Sequence, residues 1–238
     1  MKHRTTQEEG DGIREFFKRW PQFYYWAVCV LGPVLFVGLS PRGFLRKYPK
    51  EGIVLNVGSG PRILAPEVVN IDVVRYEGVS VIADATKLPF EEVSVARIVC
   101  DNVLEHVDQP EEALREFGRV LHMGGYLYIA TPFVYPFHSS PSDHTRWTEV
   151  GLQKLLVRHG FSVVASGARG GPVAVLILWI AHMLASILCM GHRRIHTLWL
   201  NIFLIVLFPL KIIDILAAHL PFINDLNSLL YIVGVKIR

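Results

Sequence analysis

Residues 54–62, VLNVGSGPR, decide how the rest of the chain is read. A run of apolar residues leads directly into Gly58 and Gly60. Glycine tolerates the left-handed backbone that a sharp turn at a strand end needs, and without a side chain it lets a ligand approach the main chain. A helix starting after the turn would add unpaired N–H groups suited to a polar or anionic ligand. The stretch predicts a buried strand, a glycine turn and a ligand-facing helix start.

Outward from this unit the texture repeats. VVNI (68–71), VSVIA (79–83), ARIVC (96–100), YLYIA (126–130) and GFSVVASG (160–167) read as further strands. Several are apolar throughout, as parallel strands covered on both faces are. PEEALREFGRVL (110–121) begins on a proline, carries acids in its first turn and stops before Gly124-Gly125, so it reads as a helix. Strands alternating with helices predict a parallel α/β sheet with helices on both faces. Asp72 stands at the carboxyl end of the second strand, where an acid can accept both hydroxyls of a ribose. Asp84, in ADATKLPF after the third strand, can accept from an adenine amino group, with Leu88, Pro89 and Phe90 as an apolar wall.

In this order and spacing, residues 51–170 resemble class I S-adenosylmethionine-dependent methyltransferases, particularly the type 11 group; VLEHV (103–107) and LREFGRVLHMGGYLYIATP (114–132) belong to the same resemblance. It implies a Rossmann-like, seven-stranded sheet with flanking helices and S-adenosylmethionine as cofactor. Carried over by position, the cofactor-binding residues are Asn56, Gly58, Ser59, Gly60, Asp72, Asp84, Ala85 and Asn102. Two positions depart from the pattern: Asn56 stands where an acid is common and Arg62 where a third glycine is. An asparagine still accepts a hydrogen bond but holds an amino group less strongly than a carboxylate does. The resemblance also calls for a final antiparallel strand beside the fifth, and LLYIVGVKIR (229–238) has the β-branched and aromatic content for it.

Methyl transfer is an in-line displacement at a sulfonium carbon, so positioning carries much of the catalysis, with a base added when the acceptor is a hydroxyl. TPFVYPFHSSPSDHTRWT (131–148) follows the fifth strand, on the edge where open α/β sheets bind ligands. His138, Asp143, His144 and Arg146 are concentrated there, and similar stretches occur in type 11 relatives linked to cell-surface polysaccharides. His106 and His138 are the candidate bases, and Arg146 would orient an anionic acceptor. Asp143 lies three residues before Arg146, a helix-like spacing that makes it the candidate most suited to a structural role. Such residues also serve as loop caps and helix-start partners. No metal site is expected: HRRIH (192–196) offers two histidines but no carboxylate partner, and Cys29, Cys100 and Cys189 are too dispersed for a zinc or disulfide framework.

The composition points away from an ordinary soluble domain. Of 238 residues, 51% are apolar and 19% charged, so part of the apolar excess must face something other than water. Lys and Arg outnumber Asp and Glu by nine to four over residues 1–50 and by eight to two over 151–238, while acids lead by fifteen to seven between them. Basic flanks beside apolar runs suit an anionic bilayer surface, and without stacking aromatics among the basic residues no nucleic-acid partner is expected. Residues 1–50 are expected to be a membrane-associating segment, with FYYWAVCVLGPVLFVGL (23–39) an interfacial or re-entrant hairpin, or a span kinked at Gly32-Pro33. Residues 171–225 are expected to be an apolar insertion, and 226–238 the last strand of the sheet. If so, both ends of the insertion lie on one side of the bilayer. The reading is a helical hairpin within one leaflet, with Arg193, Arg194 and Lys211 at headgroup level, over a two-span hairpin.

The expected protein is a membrane-associated methyltransferase, its catalytic domain on the cytoplasmic face, acting on a lipid or lipid-linked saccharide, at oxygen. The alternatives are a quinone or phospholipid methyltransferase and a catalytically silent membrane adaptor. No oligomeric state is assigned.

Overall fold

The computed structural model describes residues 37–138, 142–217 and 226–238. Most of the N-terminal membrane-associating segment, including nearly all of the apolar run at 23–39, and the end of the apolar block therefore lie outside the described residues. Seven strands form one sheet: β1 (Ile53–Val57), β2 (Val68–Asp72), β3 (Val81–Ile82), β4 (Val95–Asp101), β5 (Leu121–Pro132), β6 (Phe161–Ala168) and β7 (Leu229–Lys236). Their order is β3-β2-β1-β4-β5-β7-β6. The neighbours from β3 to β5 are parallel, and β7 runs antiparallel between β5 and β6. The C-terminal tail is thus the strand that the resemblance required.

Alternation along the strands divides the core between the two faces. Leu55, Val57, Ile98, Cys100, Leu127 and Ile129 face one cluster, and Val54, Val99, Tyr128 and Ala130 the other. Helices α2 (Pro110–Val120) and α3 (Glu149–Arg158) cover the first face. In α2 the buried Ala113, Leu114, Phe117 and Val120 make one apolar stripe, and Glu111 and Glu112 sit favourably at the positive end of the helix dipole. The second face is covered by α1 (Pro41–Lys47), whose Phe44 is fully buried against Val54 and Tyr128. Leu39 and Arg42 also bond to the sheet domain, through the Tyr128 hydroxyl and the Leu64 carbonyl. Packing of the catalytic sheet thus takes in residues before 51.

One local expectation is corrected and another is refined. No helix follows the glycine turn: residues 58–67 are turns and extended chain. Ten residues holding Pro61 and Pro66 between β1 and β2 leave little room for one, because the residue before a proline is pushed out of the helical region. Gly124-Gly125 follows the end of α2 at Val120, as expected, but lies inside a strand. β5 begins directly after α2, Gly124 takes φ +69°, and the register against β4 shifts opposite Val95 and Arg97. The glycines serve a bulge that lets the strand start early.

The apolar insertion is a helical hairpin of α4 (Pro172–Leu188) and α5 (Arg193–Leu207), followed by a 3-10 turn (Phe208–Ile212) and α6 (Ile213–Ala217). Ile177, Leu178, Ala181 and Leu204 hold the two long helices together. Asp214 accepts from the Val173 and Ala174 amides at 2.8 and 2.9 Å and so caps α4. Lys211, expected at headgroup level, is buried at 2% exposure: the turn through Pro209 brings it inward, where its charge acts on Asp214. Leu176, Trp179, Met183, Ile187, Leu198, Ile205, Val206 and Leu216 are exposed. The helical stretch Arg193–Leu216, which includes the 3-10 turn, has 24 residues of mean hydropathy 2.1 and is long and apolar enough to cross a membrane by length and composition. The hairpin leaves the sheet after Ala168 and returns at Leu229, residues in register with each other's neighbours and with Pro132, so it springs from the carboxyl edge of the parallel strands.

Candidate active site

Most of the sequence-predicted site residues lie on loops and strand ends at this carboxyl edge, in two groups. The first surrounds the ends of β1, β2 and β3. Gly58 and Gly60 take φ of +66° and +53°, the left-handed region that the turn demands. A side chain at Gly58 would run into Val103, whereas one at Gly60 would meet nothing within 4 Å, so the turn is tight beneath and open above. The Gly60 amide donates to Asp72 at 2.7 Å, and the Val74 amide to its other oxygen at 2.9 Å. These bonds hold the carboxylate at the mouth of the turn. Ser59 is buried, with its amide on the Ile71 carbonyl.

Asp84 accepts from the Thr86 amide and hydroxyl and remains exposed, while the neighbouring Ala85 is buried. The apolar wall after Asp84 is tied down from α2: Glu116 accepts from the Leu88 amide at 2.7 Å and pairs with Arg119. Asn56 lies apart from the open edge. It is 3% exposed and donates to Asn70 at 2.9 Å and to the Arg62 carbonyl at 3.3 Å, tying β1 to β2.

Arg62 extends along the edge to Asp101 at the end of β4, 2.6 Å away, and Asp101 also pairs with the buried Arg169. Burial opposes ionisation of Asp101, but Arg169 and then Arg62 outweigh it and hold the carboxyl below its ordinary value. Asn102 follows at φ +56°, bonded to the Asp101 side chain at 3.1 Å and to the Ala130 carbonyl through its amide. A non-glycine residue in that region is uncommon and marks a backbone set by its surroundings.

The second group lies between the 3-10 turn Leu104–His106 and the loop after β5. His106 and His138 come together with ring centroids 5.0 Å apart and edge to face. Asp143 accepts from the His138 amide at 2.9 Å and takes a two-pronged ion pair from Arg146. The pair forms on extended loop rather than on a helix, and it engages the guanidinium that was expected to face an acceptor. His144 is exposed, its amide on the Glu105 carbonyl. Glu105, passed over in the VLEHV motif, is the centre of the group. It is fully buried, 3.7 Å from His106 and 3.9 Å from His138. Its position directly before His106 was the available signal; nothing local announced that it would be buried.

The electrostatics follow from burial. Desolvation pushes the Glu105 carboxyl up to about 8 and, with His106 beside it, pushes His138 down to about 4. Burial works against the Asp143 charge too, yet Arg146 and the His138 amide bring it down to about 2. Near neutral pH the group therefore holds a neutral carboxyl, a neutral imidazole with a lone pair to offer, and an ionised carboxylate facing that imidazole.

Residues 62–129 match a family described as "Methyltransferase domain". No curated protein matches the sequence. Among solved structures, the chain is similar to the [4+2]-cyclase SpnF, at 15% identity over 94% of each chain and a TM-score of 0.54. It is also similar to a Thermotoga maritima S-adenosylmethionine-dependent methyltransferase, a possible histamine N-methyltransferase, at 18% identity over 93% of this chain and 99% of that one, with a TM-score of 0.52. Phosphoethanolamine N-methyltransferase 2 of Haemonchus contortus, solved with phosphomonomethylethanolamine and S-adenosylhomocysteine, aligns at 15% identity over 94% of this chain and 60% of its own, with a TM-score of 0.53. These likenesses are of fold. The matched segment marks this chain as an S-adenosylmethionine-dependent methyltransferase with S-adenosylmethionine as its cofactor, and the strand order and these likenesses give it the class I fold.

Proposed function

We propose that this methyltransferase works at a membrane surface, on the cytoplasmic face, and methylates an oxygen of a lipid or lipid-linked saccharide. One observation carries the reading. Tyr135, in the loop after β5, is partly buried against the hairpin cluster of Ile177, Leu178, Ala181 and Leu204, and its ring lies 4.8 Å from that of His138. The surface suited to lipid and the imidazole suited to an acceptor hydroxyl are one residue apart. An exposed apolar face as large as that of α4 and α5 marks an interaction surface, and Arg193 and Arg194, both exposed, sit where headgroup phosphates would meet them. The hairpin is read as lying within one leaflet.

In this reading Gly58, Ser59 and Gly60 let the main chain approach the cofactor, Asp72 accepts from its ribose hydroxyls, and Asp84 and Ala85 border its base. Asn102 borders the methionine end. Asn56 supports the turn from behind. The bound cofactor supplies an electrophilic methyl group. The chain positions the acceptor hydroxyl in line with that group and takes its proton at the Glu105–His106–His138 group, where His138 is neutral and Asp143, locked by Arg146, faces its Nδ1 at 3.4 Å. Arg146 acts through Asp143.

The test is incubation of the purified chain, in vesicles of the host lipid extract, with methyl-labelled cofactor. Label in the lipid or lipid-linked glycan fraction, stable to conditions that cleave N-methyl onium groups and methyl esters, is the expected result. Label in quinone or in an amine headgroup would replace the proposed acceptor. Cofactor binding without transfer to any fraction would point to an adaptor.

A further inference from the structure

We infer that the Glu105–His106–His138 triangle is a binding site for a divalent first-row transition-metal ion. The ligand atoms of the three residues lie within 4.8 Å of one another, close enough to converge on one ion with small side-chain movements. Glu105 is fully buried. One of its oxygens accepts from Thr131 at 3.4 Å; the other, Oε1, has no hydrogen-bond partner among the described residues. That oxygen is the one turned toward Nε2 of both His106 and His138, at 3.7 and 3.9 Å. A buried carboxylate oxygen without a donor is costly unless a cation or proton meets it, and Arg146, whose charge acts on Glu105, is engaged with Asp143.

The far sides of the two imidazoles supply an independent observation. Nδ1 of His106 is in contact with the Ser142 carbonyl, and Nδ1 of His138 faces the Asp143 carboxylate at 3.4 Å. An acceptor at Nδ1 of His106 keeps the ring proton there and turns the Nε2 lone pair toward Glu105, the arrangement that surrounds metal-ligating histidines, whereas Nδ1 of His138 makes no hydrogen bond among the described residues and meets Asp143 as a charge contact. Both Nε2 atoms are thus presented to the same carboxylate oxygen. Two imidazoles and one carboxylate suit Zn²⁺, Co²⁺, Fe²⁺ or Mn²⁺ over Mg²⁺ or Ca²⁺, which take oxygen ligands. The side chains are 14% and 25% exposed at His106 and His138, so the ion would keep positions open to a further ligand. The site stands without the proposed acceptor; its use rests on that reading. An acceptor hydroxyl bound to the ion would lose its proton more readily, in place of direct transfer to an imidazole.

The full-length chain, purified in detergent, stripped with chelator and desalted, is titrated with Zn²⁺ by calorimetry, and loaded with Co²⁺ for its visible spectrum. One equivalent should bind per chain. His138→Ala and Glu105→Gln should each weaken Zn²⁺ by at least about a hundredfold and abolish the Co²⁺ bands, and Asp143→Asn should weaken it by about ten- to a hundredfold by loosening His138. The double variant His192→Ala, His196→Ala should leave binding unchanged. His138→Ala alters a partly exposed loop, so retained cofactor affinity certifies its fold should Glu105→Gln misfold. No stoichiometric binding, or binding that folded His138→Ala leaves intact, overturns the inference. Ion binding without lipid labelling would sink the acceptor reading and leave the ion site standing.

Discussion

The two halves of the carboxyl edge are built differently. Around β1 to β3, the groups assigned to the cofactor belong mainly to short contiguous segments, and the main chain positions them: amides of Gly60 and Val74 hold Asp72, and the Thr86 amide holds Asp84. Around β4 and β5, the group proposed to meet the acceptor draws Glu105, His106, His138 and Asp143 from segments more than thirty residues apart and packs them against one another. A cofactor shared by many enzymes can be met by backbone geometry with a few acids. An acceptor hydroxyl needs a side chain with a shifted protonation state, which requires burial and neighbours.

This contrast predicts separable losses. The largest effect should come from His138→Ala, which is expected to lower turnover by about two to four orders of magnitude with cofactor affinity unchanged, as measured by single-turnover labelling beside calorimetry. A parallel loss of cofactor affinity would show that the halves are not independent.

Next in size is Asp101→Asn, at the seam between the halves. It would leave the buried Arg169 without its carboxylate and should destabilise the fold by about 3 to 5 kcal/mol in denaturant titration. Because the folded-state pKa of Asp101 is depressed, its contribution is present above the unfolded carboxyl value near 4 and is lost as pH falls through the folded value. The stability of the wild-type chain should therefore drop on acidification below about pH 4 by more than that of the variant. Equal acid sensitivity would remove Asp101 from the seam.

Asp72→Ala should weaken cofactor binding by about 2 to 3 kcal/mol while leaving the melting temperature within a few degrees, since charge-assisted bonds to the ribose are lost and the side chain is only half-buried. Unchanged affinity by titration would move the cofactor away from this turn. The smallest change tests the hairpin: Arg193→Cys in sealed vesicles should react with an impermeant thiol reagent only from the side bearing the catalytic domain, without loss of cofactor affinity. Reaction from the opposite side would establish a spanning hairpin.

The strand ends and turn assigned to the cofactor were largely legible in the sequence because their determinants are local. VLNVGSGPR joins a strand to a turn within nine residues, and Asp72 and Asp84 close the next two strands at intervals set by strand and loop length. The strand runs and the α2 stripe carry their periods openly, and the C-terminal tail showed its β-character although its partners lay far away in the chain. The missing helix after the turn was less legible, because Pro61 and Pro66 act through the backbone they exclude.

By itself the sequence determined the strands, the glycine turn and the apolar excess, since each depends on the backbone preferences and spacing of neighbouring residues. Only the tertiary structure decided that Glu105 lies buried between His106 and His138, that Arg62 closes on Asp101, and that Lys211 turns inward to Asp214 instead of outward to headgroups. Burial and pairing are properties of the packed assembly, summed over residues far apart in the chain, and a charged side chain read in isolation carries no mark of which neighbour will meet it.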